Sequence, residues 1–266
     1  MTKPLRLITW NINSIRARIE HLARLVEETN PDLVCLQETK VADAQFPANA
    51  VRKMGFEHIE TNGKGGHHGV ATLSKRPLRS VERHLFCGQD DGRHLAVTVD
   101  HNGPLRVHNL YVPAGGDVPD RQESEKFAHK LDFVDELGGY LASEPNERRL
   151  AVGDLNIAPY AADVWSHKQL LKVVSHTPIE VEKHEASRNQ AGMIDLVRHH
   201  FGMDEKLYSW WSYRAKDWRK SNRGRRLDHI WASPDLSAQV DTLDLRDTVR
   251  DWEKTSDHIP IVLSLN

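Results

Sequence analysis

The feature that most constrains this chain is a recurring junction, in which a short apolar run of strand length ends in carboxylates or amides. Leu7, Ile8 and Trp10 lead into Asn11, Val34, Cys35 and Leu36 lead towards Glu38, and Leu150, Ala151 and Val152 lead towards Asp154. Two further polar signatures, Leu227-Asp228-His229 and Ser256-Asp257-His258, fall late in the chain. Runs this apolar predict strands buried in a core, so a carboxylate at the end of each must find a compensating charge. A desolvated, unpaired carboxylate is too costly to keep, and a hard divalent cation with oxygen ligands is a standard partner for converging Asp, Glu and Asn side chains. Magnesium is expected, with manganese as a substitute. Trp10-Asn11-Ile12-Asn13, Gln37-Glu38-Thr39-Lys40 and Gly153-Asp154-Leu155-Asn156 then describe one site assembled from distant parts of the chain.

At 266 residues, with 39% hydrophobic and 28% charged residues, the chain suits one large α/β domain spanning 1–266. Met1-Thr2-Lys3-Pro4 runs straight into a strand-like stretch, without the apolar core of a signal peptide or a run of about 18 apolar residues able to span a bilayer. No membrane partner is expected, and the cytosol is the expected compartment. Two cysteines without an export signal make a disulfide framework improbable, so Cys35 and Cys87 read as free thiols.

The net charge of −2, from 36 basic and 38 acidic residues, carries no footprint for nucleic acid over the molecule as a whole. The local pattern differs. Between Arg214 and Arg226 stand seven basic residues, Arg214, Lys216, Arg219, Lys220, Arg223, Arg225 and Arg226, against the single acid Asp217. Trp210, Trp211 and Tyr213 precede this run and Trp218 interrupts it. Such a loop can neutralise phosphates while its rings stack on an exposed sugar or base. The plainer alternative is a solvated loop whose aromatics belong to the core. Asp228 follows Arg226 by two positions, so the loop must lie against whatever site Asp228 helps to build.

Strand-length apolar runs alternate with helix-period segments, and there is no linker, low-complexity tract or repeat. Strands are predicted near 5–10, 32–37, 56–60, 69–74, 78–85, 94–99, 105–112, 150–153, 207–213, 227–232, 238–245 and 259–265. Helices are predicted from Ile15 through Val26 to Asn30-Pro31, from Phe46-Pro47 to Met54-Gly55, over 123–141 and over 193–201. The middle of the chain reads as antiparallel. Short hairpin connections with helices outside suggest two mixed sheets packed face to face.

With these motifs placed, the chain resembles the exodeoxyribonuclease III family of abasic-site endonucleases, within the endonuclease/exonuclease/phosphatase superfamily. The likeness runs from Trp10-Asn11-Ile12-Asn13 through Leu36-Gln37-Glu38-Thr39-Lys40, Asn109-Leu110-Tyr111-Val112-Pro113, Gly153-Asp154-Leu155-Asn156 and Arg226-Leu227-Asp228 to Ser256-Asp257-His258. Each motif alone is weak; all of them in order are not. The resemblance implies a four-layer α/β sandwich, a divalent metal and hydrolysis of phosphodiesters in double-stranded DNA carrying abasic sites or damaged 3′ ends, by a monomer.

A phosphodiester anion repels hydroxide, so its hydrolysis needs positive charge at the phosphoryl oxygens, a positioned water and donors for the developing charge. The resemblance implies Glu38 as the principal metal ligand, with Asn11, Asp154, Asn156, Asp257 and His258 at or around the ion. Asp154 would orient and deprotonate the water, held by Asn11, and Asn156 would donate to a phosphoryl oxygen. His258, paired with Asp228, would donate to the scissile phosphate, and Tyr111 would bond to phosphate. Asn13 is a contact to DNA or a ligand through water. Taken singly, an Asp or Asn in such a turn more often caps a bend; joint occurrence reverses that weighting. Asp195 reads as structural, and His67-His68 and His199-His200 lack the i, i+4 spacing or cysteine partners of a zinc site.

For the substrate, Trp210 and Leu227 match an apolar pocket that in relatives accepts a flipped baseless sugar, and Arg214 and Arg223 would meet the DNA backbone. Two departures stand out: Arg225 replaces a tryptophan or leucine wall, and Ala114 replaces an amide. They leave the phosphodiesterase chemistry intact but open the balance between abasic-site incision and 3′ exonuclease or 3′-phosphatase action. Another phosphoesterase of the superfamily, acting on inositol phosphates, sphingomyelin or RNA tails, and a noncatalytic lesion binder are the alternatives. The basic aromatic loop and Tyr111-Val112-Pro113 favour DNA, and the intact set of acidic residues speaks against a pure binder.

Overall fold

A computed structural model describes residues 4–144, 148–215 and 217–266, so Lys216 of the basic loop lies outside the described residues. Its strands are β1 Leu5–Asn11, β2 Leu33–Gln37, β3 His58–Asn62, β4 Val70–Ser74, β5 Leu78–Glu82, β6 His94–Asp100, β7 Pro104–Tyr111, β8 Arg149–Asp154, β9 Ile194–Asp195, β10 Asp228–Ala232, β11 Val240–Leu245 and β12 Ile261–Leu265. They form two six-stranded sheets, ordered β11-β12-β1-β2-β4-β3 and β5-β6-β7-β8-β10-β9. Each sheet is antiparallel except for one central parallel pair, β1 with β2 and β7 with β8. The parallel pairs bring Asn11 beside Gln37 and Tyr111 beside Asp154, so four chain ends leave the sheets on their carboxyl side.

The sheets bury one face against each other. Leu5, Leu7, Leu33 and Cys35 of the first meet Val97, Val107, Leu150, Val152 and Ile230 of the second in a common core. Because side chains alternate across a strand, Ile8, Trp10, Val34 and Leu36 point the other way, and Leu22, Leu25 and Val26 of α1 (Ile19–Thr29) cover them. The helix stops where Asn30 turns left-handed at φ 44, ahead of Pro31. After the short α2 (Ala48–Lys53), α3 (Glu125–Ser143) lays Phe133, Val134, Leu137 and Leu141 on the outer face of the second sheet, against Leu110, Ala151 and Trp231. The result is a four-layer α/β sandwich, as the sequence suggested.

Gly153 shows how tightly β7 and β8 approach. Its φ is 138, and a Cβ there would lie 2.0 Å from the Leu110 carbonyl oxygen, so only glycine fits immediately before Asp154.

The remaining helices are α4 (His167–Leu170), α5 (Pro178–Gln190), α6 (Leu196–Phe201) and α7 (Trp218–Ser221). The 13-residue α5 has no counterpart in the sequence reading, because its buried positions are Glu180, His184 and Ser187, which carry no apolar periodicity. Its signature is the capping box of Thr177 and Glu180 around Pro178. The helix predicted over 193–201 divides into β9, which pairs with β10, and α6, whose first turn Asp195 caps. The strand predicted near 207–213 is a loop that touches its neighbours through Trp210, bridged to Arg225 and to His258.

Candidate active site

The inward-facing row of each central strand ends in a polar residue, and the sheet pairing brings these ends to one place. Asp228 lies directly opposite Asp154 in the β8/β10 register. Across the sheets, Asn11 Nδ2 donates to Glu38 Oε1 and to Asp154 Oδ2, both at 2.9 Å, and the Tyr111 hydroxyl donates to Glu38 Oε1 at 2.8 Å. Glu38, Asp154 and His258 each offer a ligand atom within 4.8 Å of the others, the one such group among the described residues. Two carboxylates with flanking amides and a phenol suit a hard cation that prefers oxygen, so these residues fit a divalent metal.

His258 joins the two sheets electrostatically. Its Nδ1 bonds to Asp228 Oδ2 at 2.8 Å and its Nε2 lies 3.6 Å from Asp154 Oδ2. Burial opposes the imidazolium, but Asp228 and then Asp154 outweigh it and lift the pKa to about 10. Asp154 is pushed up to about 7, chiefly by burial, with Asp228 and Glu38 adding repulsion that His258 and Asn11 only partly relieve. Glu38 is held below its usual value despite burial, because Asn11 and Lys40 stabilise the anion. The Ser209 hydroxyl donates to Asp228 Oδ2 at 2.6 Å and accepts the Leu227 and Asp228 amides, which fixes the start of β10.

Glu38 and Asn156 both sit at positive φ, 50 and 54. For non-glycine residues that costs about 1–3 kcal/mol and persists only where surroundings over-determine it. Ser14 N donates to Glu38 O at 2.7 Å and Thr39 N to Gly69 O at 3.0 Å. The Asn156 turn is held more fully: Lys130 Nζ donates to Asn156 O at 2.8 Å, and His229 Nε2 and His176 Nδ1 meet the carbonyls of Ile157 and Ala158 at 2.7 and 2.6 Å. Asn156 itself donates from Nδ2 to Val112 O and Asp154 Oδ2, and from its backbone to Asp154 Oδ1.

These groups line a cleft of about 580 Å³ shared with Trp210, Arg214, Arg223, Arg225, Leu227 and Asp257. A larger cavity of about 780 Å³ opens beside β5 around Arg79 and Arg106, remote from the carboxylate cluster; chemistry, not size, marks the site. Asp257 reaches the cleft, with Asn13 Nδ2 on Oδ1 at 2.9 Å and Trp210 Nε1 on Oδ2 at 3.0 Å. Asn13 Oδ1 accepts from Lys40 Nζ, which also pairs with Glu38 Oε2 at 2.8 Å. Of the sequence-predicted residues, Tyr111, Asp154, Asp228, Glu38, Asn11 and His258 thus form one bonded group, Asn156 braces it, and Asn13, Asp257 and Trp210 make a second group at its rim. His67, His199 and His200 are exposed, apart from it.

Sequence reasoning gave no role to Lys40, Lys130, Glu180, Ser209, His176, Trp165 or Ser175. Lys40 was within reach as the last residue of the Glu38 signature, and Lys130 as a lysine on the buried face of α3 among Phe127, Leu131 and Val134. Nothing local marks Trp165 or Ser175, which enter through the cleft wall alone.

A sandwich of this topology, with an acidic cluster at the carboxyl side of both parallel pairs, has close counterparts. Residues 8–258 match the model of the Endonuclease/Exonuclease/phosphatase family, and the chain belongs to that family. It is 32% identical to the exodeoxyribonuclease III of Haemophilus influenzae, covering 97% of this chain and 98% of that one. Among solved structures, an AP endonuclease from Archaeoglobus fulgidus superposes with a TM-score of 0.91 at 29% identity, covering 98% and 99% of the two chains. The 3′ phosphatase NExo from Neisseria, bound to a product DNA hairpin, superposes with a TM-score of 0.91 at 27% identity, covering 98% and 99%. No helix among the described residues is long and apolar enough to cross a membrane.

Proposed function

We propose that the protein is a metal-dependent DNA repair phosphodiesterase of the exodeoxyribonuclease III type, acting as a monomer in the cytosol. It incises duplex DNA 5′ to abasic sites and removes nucleotides or blocking groups from 3′ ends. The observation that carries this reading is the convergence of Glu38, Asp154 and His258 within 4.8 Å, in a cleft whose other wall is the basic aromatic loop. The relatives' activities, abasic-site incision and 3′ phosphatase action, support the choice of substrate.

Magnesium, or manganese in its place, would supply positive charge to the phosphoryl oxygens when bound. Glu38 and Asp154 would hold it, with Asn11 bracing both carboxylates and Asp257 outside them. Asp154 takes the proton of the attacking water. His258, held by Asp228 at Nδ1 and beside Asp154 at Nε2, donates to the phosphoryl group. Tyr111 and Asn156 are the neutral donors beside it. Trp210 and Leu227 receive the baseless sugar, while Asn13, Arg214, Arg223 and Arg225 contact DNA.

The test is product analysis on duplexes carrying an abasic site, a 3′-phosphate or a recessed 3′ end, with and without magnesium. An inositol polyphosphate serves as the contrasting substrate. Magnesium-dependent cleavage of the duplexes is expected; hydrolysis of the inositol ester alone would overturn the assignment.

A further inference from the structure

A tyrosine side chain turns about two bonds, so the direction of the Tyr111 hydroxyl is set by whatever grips its ring and its backbone. Arg93, the residue before β6, grips both. It is buried, and its guanidinium lies 4.9 Å from the centroid of the Tyr111 ring. Its Nη1 donates to Tyr111 O at 3.2 Å, while Tyr111 N donates to Arg93 O at 2.8 Å and extends the β6/β7 ladder by one rung. The guanidinium is fixed in turn: Nε donates to Asp91 Oδ2, and Nη2 meets His68 Nε2 at 2.8 Å. A guanidinium can only donate, so His68 Nε2 accepts and the imidazole proton sits on Nδ1, which faces Asp91 Oδ2 at 3.9 Å. Burial and then Arg93 hold this imidazole below its ordinary pKa, which keeps the accepting lone pair available. The His68 carbonyl accepts from Lys40 N at 2.9 Å. Contacts therefore run from Glu38 through Tyr111, Arg93 and His68 to Lys40, which returns to Glu38.

An Asp–Arg pair ahead of a strand could do no more than staple a turn. Here the cation also covers the ring whose hydroxyl reaches Glu38, and its charge acts on that hydroxyl. Burial, Glu38 and Asp154 push the Tyr111 phenol well above its ordinary pKa, and Arg93 pulls the other way. A cation over the ring draws electron density from the phenol and makes its O–H a better donor. We propose that Arg93 is a positioning residue for the reaction: stacked on Tyr111 and bonded to its carbonyl, it holds the phenol beside Glu38 as a donor to the phosphoryl group, and His68 and Asp91 hold Arg93 in that pose. The inference rests on the nuclease reading above and assigns three further residues to the working of that same site. Arg93 acts through Tyr111, so its effect falls on kcat rather than on KM.

The experiment is a double-mutant cycle on an abasic duplex with magnesium. Arg93→Met should lower kcat by roughly 10- to 100-fold, with KM within about threefold of its original value. In Tyr111→Phe, which already lacks the hydroxyl, the same change should cost less than about threefold, because residues that act as a unit are not additive. His68→Ala removes one acceptor of Arg93 and leaves the guanidinium in place. It should lower kcat by about threefold or more, again only where the Tyr111 hydroxyl is present. An unchanged kcat in Arg93→Met, a loss confined to KM, or an equal loss in the Tyr111→Phe background overturns the inference alone. If Arg93→Met does not fold, His68→Ala decides by the same comparison: equal losses with and without the hydroxyl, or no loss in either, overturn it. Failure of the unmodified protein to cleave the abasic duplex overturns the nuclease reading and the inference together.

Discussion

Asp154 and Asp228 face each other across β8 and β10, and the His258 imidazole is the charge that lets both carboxylates stay in the core. His258 holds its proton to about pH 10 in the folded protein against an ordinary 6.5, so the folded state binds more protons than the unfolded one in that interval. Stability of this kind is complete below the unfolded pKa and is lost as pH rises through the folded one. Metal-free protein should therefore lose thermal stability between about pH 6.5 and 10, and His258→Gln should flatten that part of the curve, as calorimetry in a chelator can measure. Asp154→Asn and Glu38→Ala act on chemistry rather than on the fold. Each is expected to lower magnesium-dependent cleavage of an abasic duplex by roughly 10²–10⁴-fold while circular dichroism and melting stay near those of the unmodified protein. These side chains were legible in the sequence because each closes an apolar run, so its burial and its cost could be inferred together. Ser209 was not, because a serine in a loop has no such cost until the fold supplies a partner.

At the scale of elements, the catalytic turn after β8 is held from outside by helices. The ammonium of Lys130 on α3 and the carboxylate of Glu180 on α5 are both fully buried and 2.5 Å apart. Besides its bond to Asn156 O, Lys130 Nζ reaches Ala114 O at 3.3 Å, and Glu180 accepts the amides of Ser175 and Thr177. One ion pair therefore binds three loops of the cleft to two helices, packed so closely that a Cβ on Gly138 would lie 2.7 Å from Ser187 Cα. Lys130→Met should destabilise the protein by about 3–5 kcal/mol, since it leaves a carboxylate buried and unpaired, and the Lys130→Met/Glu180→Gln double variant should recover much of that. Chemical denaturation gives the stabilities. Cleavage assays should show kcat, more than KM, reduced in both variants, because the Asn156 turn has lost its brace. None of this could be read from periodicity: α5 buries Glu180, His184 and Ser187, which to a hydrophobic pattern look like a solvated face.

For the molecule as a whole, a net charge of −2 hides a division of surfaces. Arg214, Arg223 and Arg225 line the cleft, whereas Arg219, in the same basic loop, is claimed by Asp247 and Asp251. DNA affinity should rest on the few cleft arginines, so KM for duplex should climb steeply between about 50 and 200 mM salt, and Arg214→Ala should reduce the slope of log KM against log salt by about one. Titration of initial rates against potassium chloride tests both. The sheets are joined at their centre by Gln37 Nε2, which donates to Asn109 Oδ1 at 2.7 Å, a polar tie within the apolar interface just below the site. By itself the sequence determined the strands of the two sheets other than β9, the polar residues that end them and the basic aromatic loop, because alternation, burial cost and charge are local properties of a chain. The tertiary structure alone decided that Lys130 and Glu180 brace the Asn156 turn, that Lys40 pairs with Glu38, and that Arg225 packs beside Trp210 with no ion pair among the described residues. Those facts depend on which groups meet across layers, and a buried charge reveals its partner, or the lack of one, only when the layers close.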